Sequence, residues 1–315
     1  VVTRPGRLGV GVIGAGKVGA VLGAALRAAE HAVVGVSAVS EASRDRAEAL
    51  LPGVPVLEIP DIVERSELVL LAVPDDALGP LVEGLAKLGA WQAGQLVAHT
   101  SGRHGVGVLA PVRSAGAIPL AIHPAMTFTG MSLDLRRLLD CRFGVTADPA
   151  MLPIAQALVV EMGAEPVVIA EGDRVTYHAA LAHGSNHLVT LVAQAAEVLG
   201  RIGVDEPDQL LGPLLRASLD NALAAGESAL TGPVARGDVG TVGAHAEALV
   251  ELAQETSGPG DGGTADILEA YRAMALATAR RAERRGLFGA DVRARLEAAL
   301  RPEDEPGAED PGEEP

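Results

Sequence analysis

Lysine is almost missing from this chain, cysteine nearly so, and positive charge is in short supply. Of 25 Lys and Arg residues only Lys17 and Lys87 are lysines. Chemistry that needs an ε-amino group is therefore excluded downstream of Lys87. The single cysteine, Cys141, excludes an internal disulfide and suits a reducing cytosol. No apolar run approaches the roughly eighteen residues of a membrane helix, and the first residues lack an apolar signal-peptide core. Both absences lead to the expectation of a cytoplasmic chain. The formal net charge of −16 argues against nucleic acid or an anionic membrane as a partner. Part of that charge is local: RPEDEPGAEDPGEEP, residues 301–315, carries seven acids and one arginine and is expected to be disordered.

What is present is apolar: 48% of 315 residues, enough for one large or two ordinary domains. Residues 8–13, 32–36, 68–73, 95–98, 118–122, 142–145 and 166–169 read as strands, most of them buried. Between them 17–28, 43–51, 76–88 and 108–115 have helical composition. Asp148-Pro149 and Gly163 bound one more helix, as N-cap, first-turn proline and C-cap. This alternation predicts an α/β domain over 1–170, a doubly wound parallel sheet. From about Gly172, alanine- and leucine-rich helices take over at 174–199, 209–225, 239–254, 265–284 and 290–300. They predict an all-helical domain over 171–300.

Glycine is plentiful, 38 residues, so a chance G-x-G-x-x-G is expected about half the time and the pattern needs context. LGVGVIGAGKVGAVLG, residues 8–23, holds it in two registers, one starting at Gly9 and one at Gly14. A dinucleotide turn needs a strand before its first glycine and a helix opening near its second and third. RPGRL precedes Gly9 and is no strand, whereas LGVGVI precedes Gly14. Gly14, Gly16 and Gly19, with the helix start at Lys17 and Val18, are therefore the predicted cofactor turn. A third near-match, Gly105, Gly107 and Ala110, has no clear strand before it. In an NAD site an acid at the end of the second strand binds the ribose 2′-hydroxyl. Here Ser37 and Ser40 stand in that region and Arg44 follows, groups that can bond a 2′-phosphate, so the expected cofactor is NADP. A second reading leaves Ser40 or Ser43 as a helix cap and Arg44 solvated.

The motifs VIGAGKVG, VGVSAVS, AVPDDAL, HTSG, AIHPAMTF, YHAALAHGSNHL and LTGPVARGD occur in this order. Over roughly residues 8 to 285 they resemble the Rossmann-like proteins with a C-terminal domain of unknown function 2520. That family is similar to ketopantoate reductases, pyrroline-5-carboxylate reductases and other relatives of 6-phosphogluconate dehydrogenase. The resemblance implies a Rossmann-type fold, NADP-dependent reduction, a cleft between domains and a homodimer formed through the helical domain. Some members are linked to ketopantoate reduction in pantothenate synthesis.

Ligands of a doubly wound sheet gather beyond the carboxyl ends of its strands. Val73, Pro74 and Asp75 follow one such end, where Asp75 and Asp76 either contact ribose or cap the next helix. Ser101, in His99-Thr100-Ser101-Gly102, and His123 follow two others, as site residues or as packing residues. Ketopantoate reductases use a lysine on the first long helix of the second domain, and this chain has none there. That helix instead presents His183, Asn186, His187 and Thr190 along one stripe at 100° per residue, either solvated or lining the cleft. Ser185 and His178 fall beside the stripe, and Tyr177 offers another proton donor. His183 and His187 lack the third ligand a metal site needs. Arg236 suits a substrate carboxylate, with Asp238 orienting it or capping the next helix.

The expected activity is NADPH-dependent reduction of a small carboxylate-bearing oxo acid, ketopantoate first. His123, His183, Asn186 and Ser101 are the expected catalytic groups. Ser185, His187, Arg236 and Asp238 are the expected substrate contacts. The alternatives are a pyrroline-5-carboxylate-type imine reductase and a non-catalytic NADPH-binding regulator.

Overall fold

The computed structural model describes residues 7–255 and 265–301; the stretch 302–315, most of the segment expected to be disordered, lies outside them. Seven strands form one sheet: β1 (Gly9–Ile13), β2 (Ala32–Ser37), β3 (Leu68–Leu71), β4 (Leu96–His99), β5 (Ile118–Pro124), β6 (Arg142–Ala147) and β7 (Glu165–Val168). The helices threaded among them are α1 (Lys17–Ala28), α2 (Glu41–Leu50), α3 (Ile59–Glu64), α4 (Asp75–Lys87), α5 (Ala110–Ser114), α6 (Leu133–Arg137) and α7 (Leu152–Glu161). Then come α8 (Arg174–Arg201), α9 (Pro207–Ala225), α10 (Pro233–Arg236), α11 (Val239–Glu255), α12 (Ala265–Arg284) and α13 (Ala290–Ala299).

Strand order is β2-β1-β3-β4-β5-β6-β7. The chain moves from β1 out to β2 and returns across β1 to β3, so the strand order reverses there and a crevice opens at the carboxyl ends. Neighbouring strands from β2 through β5 pair in parallel, and β6 pairs with β7 in parallel, but β6 runs antiparallel to β5. The sheet is thus mostly parallel rather than wholly so. Antiparallel pairing sets Gly144 opposite His123 and Phe143 opposite Pro124.

Period-2 alternation divides the core into two layers. Val10, Val12, Leu68 and Leu70 pack with Leu22, Leu26, Leu158 and Val159 of α1 and α7. Ile13, Val69, Leu71 and Val97 pack the other way, on Ile62, Leu78, Val82 and Val112 of α3, α4 and α5. Each such leucine contributes about 1.5–3 kcal/mol by leaving water. Helices on both faces explain why the central strands read as continuous apolar runs.

Two local expectations are corrected. Helix α7 begins at Leu152 rather than at Pro149, and Asp148 forms an ion pair with Arg113 (3.0 Å) instead of capping it. The short helices α3 and α6 had no place in the sequence reading, being too brief for a 3.6-residue period to show. Gly163, at φ +84°, does follow the end of α7 as expected.

The chain divides into two compact units, Val1–Leu188 and Val189–Pro315. The division falls inside α8, later than the expected boundary after residue 170. In the second unit Val242, Ala246, Ala275, Ala279, Leu296 and Leu300 form a core of their own among α11, α12 and α13. Among the described residues no helix is long and apolar enough to cross a membrane.

Candidate functional site

The three glycines after β1 differ in what they permit. Gly14 adopts φ +99°, and a Cβ there would stand 2.5 Å from the Ala72 carbonyl oxygen, so the turn needs glycine twice over. A Cβ on Gly19 would collide with the Gly14 carbonyl oxygen. A Cβ on Gly16 would meet nothing within 4 Å; the space above the first turn of α1 is open. Helix α1 has no side-chain cap, which leaves its first backbone N–H groups turned toward that space. In the rejected register, Gly11 packs so tightly on Ile62 and Ser66 that a Cβ would collide, whereas Gly9 has ordinary room.

The side chains expected around a 2′-phosphate are placed differently. The Ser37 hydroxyl accepts the Gly14 N–H (2.9 Å) and its carbonyl accepts the Ala15 N–H (2.8 Å), bracing the turn. Ser40 caps α2 by accepting the Ser43 N–H at 3.2 Å, and Arg44 is exposed. Two residues beyond Arg44 and on the other side of α2, Arg46 reaches the turn instead: its Nε donates to the Ala15 carbonyl at 3.4 Å. Gly130, at φ +81°, packs on both Arg46 and Lys17, so the segment after β5 lies against the start of α1. Asp134 fixes that segment by accepting the Thr129 and Gly130 N–H groups, each at 2.8 Å. Burial alone would raise the Asp134 pKa, but these bonds, with those from the Thr129 hydroxyl and Arg137, hold it below the ordinary value.

At the carboxyl ends of β1, β3 and β4 lies a cleft of about 450 Å³, lined by Gly16, Lys17, Val18, residues 72–75 and 100–102, His123 and His178. The structure therefore gathers Gly16, Lys17, Val18, Val73, Pro74, Asp75, Ser101 and His123, separately predicted, around one space. Asp75 opens α4 and lies 3.5 Å from Arg103, which also pairs with Asp76 at 3.1 Å. The Ser101 hydroxyl accepts the His104 N–H (3.2 Å). His99 organises this loop from below: Nε2 donates to the Gly105 carbonyl (2.8 Å) and Nδ1 accepts the Ser101 N–H (3.2 Å). Burial pushes its pKa down to about 4, so it is a neutral structural group.

A second chamber of about 220 Å³ is lined by His123, residues 124–127, His178, Leu181, Ala182, Ser185 and Asn186. His123 and His178 line both spaces, their rings edge to face with centroids 5.8 Å apart. His123 Nδ1 is 2.9 Å from the Tyr177 hydroxyl. Glycine at position 144 makes that contact possible, because a Cβ there would stand 2.7 Å from the tyrosine oxygen. Burial first, then the charges of His178 and Arg174, push the His123 pKa down to about 4, with Asp75 pulling the other way.

On α8 the residues facing the chamber are 178, 181, 182 and 185, an i, i+3, i+4, i+7 set, with Asn186 at its edge. The predicted stripe was thus split. Of its members Asn186 reaches the chamber, joined by Ser185 from beside the stripe, but His183 and His187 are exposed on the opposite side, ring nitrogens 3.1 Å apart. His178 was missed as a site residue because it lies among apolar positions. The signal was its spacing to Ser185. Arg236 and Asp238 belong to the second unit. Arg236 ends α10 and is exposed, and Asp238 caps α11 by accepting the Thr241 N–H (3.1 Å) and hydroxyl (2.7 Å). Among the described residues no group of three His, Cys, Asp or Glu could hold a metal.

Comparison with known proteins adds the family. No curated protein matches the sequence. A candidate NADP oxidoreductase of Bacteroides fragilis shares the fold with a TM-score of 0.70 and 18% identity, over 87% of this chain and 98% of its own. An imine reductase from Pseudomonas sp. gives 0.60 and 19%, over 94% and 100%. The pyrroline carboxylate reductase of Plasmodium falciparum, solved with NADP bound, gives 0.53 and 12%, over 94% and 100%. Residues 2–124 match a Rossmann-like domain and residues 141–278 match domain of unknown function 2520. The chain belongs to the Rossmann-like proteins that carry this second domain.

Proposed function

We propose that this protein is an NADPH-dependent reductase of a small compound bearing a C=N or C=O group. The carrying observation is that the cleft beside the glycine turn and the chamber beside α8 share His123 and His178. A cofactor in the first and a substrate in the second would meet at two histidines. The residues fit a dinucleotide: Gly16 leaves the cradle open where any side chain would intrude, and the free amides of α1 point into it. Lys17 and Arg46, both against Gly130, are the cations nearest this turn for a 2′-phosphate, with Arg46 taking the part expected of Arg44. Val73, Pro74, Asp75, Thr100 and Ser101 would hold the rest. Bound there, NADPH supplies a hydride.

An imine is favoured over an oxo acid. The chamber lining in the first unit contains no Lys or Arg to meet a carboxylate, and no lysine follows Lys87 to act as a strong acid. A protonated imine already accepts hydride and asks less of its donor. The likeness of fold to an imine reductase supports the same preference. Ketopantoate, an oxo acid, is the second substrate candidate. Exposed Leu210, Leu214 and Leu223 on α9 support a homodimer formed through the helical unit.

The test follows NADPH absorbance with an uncharged cyclic imine, pyrroline-5-carboxylate and ketopantoate. Oxidation is expected with an imine first. Tight NADPH binding without oxidation by any of the three would sink the enzymatic reading in favour of a non-catalytic NADPH-binding regulator.

A further inference from the structure

Arg174 is the largest fully buried side chain, 1% exposed. Its Nε donates to the Thr146 hydroxyl (2.7 Å), and Nη2 to the carbonyls of Ala121 (3.0 Å) and Gly144 (3.1 Å). Nη1 is buried without a hydrogen-bond partner; among the described residues no carboxylate lies within ion-pair distance, and the Glu171 charge acts on it only from farther off. A guanidinium stays charged at this depth, and burying one without a paired carboxylate is costly. Its position gives that cost a use: the guanidinium lies 5.9 Å from the centre of the Tyr177 ring. Tyr177 in turn meets His123 Nδ1, and His123 stands where cleft and chamber join. Arg174, Tyr177 and His123 form a line from the buried sheet to the site.

Resting on the reductase reading, we propose that Tyr177 is a positioning and proton-supplying residue that acts through His123. The tyrosine hydroxyl donates to Nδ1, its one side-chain partner among the described residues. That bond fixes the neutral imidazole with its proton on Nε2, which lies beside Gly102 on the cleft wall. As hydride reaches the carbon of an unprotonated imine or a carbonyl, the Nε2–H bond breaks and a bond forms from that proton to the substrate nitrogen or oxygen. The Tyr177 O–H proton moves to Nδ1, so the imidazole remains neutral. Burial disfavours the phenolate left behind, and Arg174 and the Gly144 backbone act against that penalty for the short life of the charge. Solvent then returns a proton to Nε2, and Nδ1 gives its own back to the phenolate.

The groups facing His123 agree with a neutral donor. His178 on α8 and Arg174 both disfavour the imidazolium, against Asp75 at the start of α4, and burial adds to them. An ordinary histidine acid loses activity as pH rises through its usual range near 6.5. Here the donor is neutral throughout, so kcat is expected to be flat from pH 5.5 to 8.

The experiment pairs Tyr177→Phe with two readouts. Nitrogen-15 NMR of His123, with and without NADP, needs no substrate; it is expected to show the Nε2–H tautomer in the parent protein and a mixture in the variant. In turnover, kcat of the variant is expected to fall roughly tenfold or more, with KM for NADPH unchanged. What activity remains is expected to climb as pH falls, because only imidazolium can then supply the proton. A variant with the parent tautomer and a flat pH profile would overturn the proposal. If Tyr177→Phe does not fold, fluorotyrosine replaces it, since the chain has two tyrosines. A stronger donor at 177 is expected to move the Nδ1 resonance, and an unmoved resonance would equally overturn it. A locked tautomer in a protein that turns nothing over counts against the reductase reading alone.

Discussion

Gly14, Gly16 and Gly19 look equivalent as letters, yet each position needs glycine for its own physical reason. Gly19 touches the Gly14 carbonyl, and Gly16 touches nothing. Substitution therefore separates folding from binding. Gly19→Ala is expected to cost about 1–3 kcal/mol by overpacking, read as a lowered Tm. Gly16→Ala, at φ −70°, is expected to leave Tm within the small range of a neutral surface change. Its NADPH Kd should nevertheless rise roughly tenfold, the equivalent of about 1.4 kcal/mol. A Gly16→Ala protein with full affinity would remove the turn from the cofactor site. The glycine register was legible because strand and helix flank it. Ser40 as the cap of α2 matches the second sequence reading, but the roles of Ser37 and Arg46 were not legible, because spacing alone cannot say which side chain braces or reaches.

Strands and long helices were legible wherever apolar residues repeat with a period, and α1 and α12 begin and end where the sequence places them. The direction of β6 was hidden, since buried strands read alike whichever way they run. That hidden direction matters, because it brings Gly144 opposite His123 and leaves room for Tyr177. On α8 the polar stripe read from the sequence and the stripe that lines the chamber are different faces. Polarity picked the stripe with His183 and His187, whereas the chamber takes the more mixed stripe through His178 and Ser185. A steady-state assay discriminates the two faces. The double variant His183→Ala/His187→Ala is expected to keep kcat/KM within about twofold, and His178→Ala to lose roughly tenfold or more. The reverse order would restore the stripe first read from the sequence.

The whole chain carries a formal charge of −16 and is here assigned a polyanionic cofactor. The two are compatible, because at physiological salt the field of distant carboxylates is screened beyond about 8 Å. What an incoming phosphate meets at close range is the open end of α1 with Lys17 and Arg46 against it. On the proposed reading, the cofactor binds in the cleft at the carboxyl ends of β1, β3 and β4. Hydrogen–deuterium exchange on the full chain, with and without NADPH, tests it without reference to any substrate. The expected result is protection at residues 14–18, 73–75 and 100–102, and weaker protection of the same segments by NADH. Protection absent from those segments, or gathered instead at residues 191–199 and 267–274 around the apolar pocket of the helical unit, would contradict it.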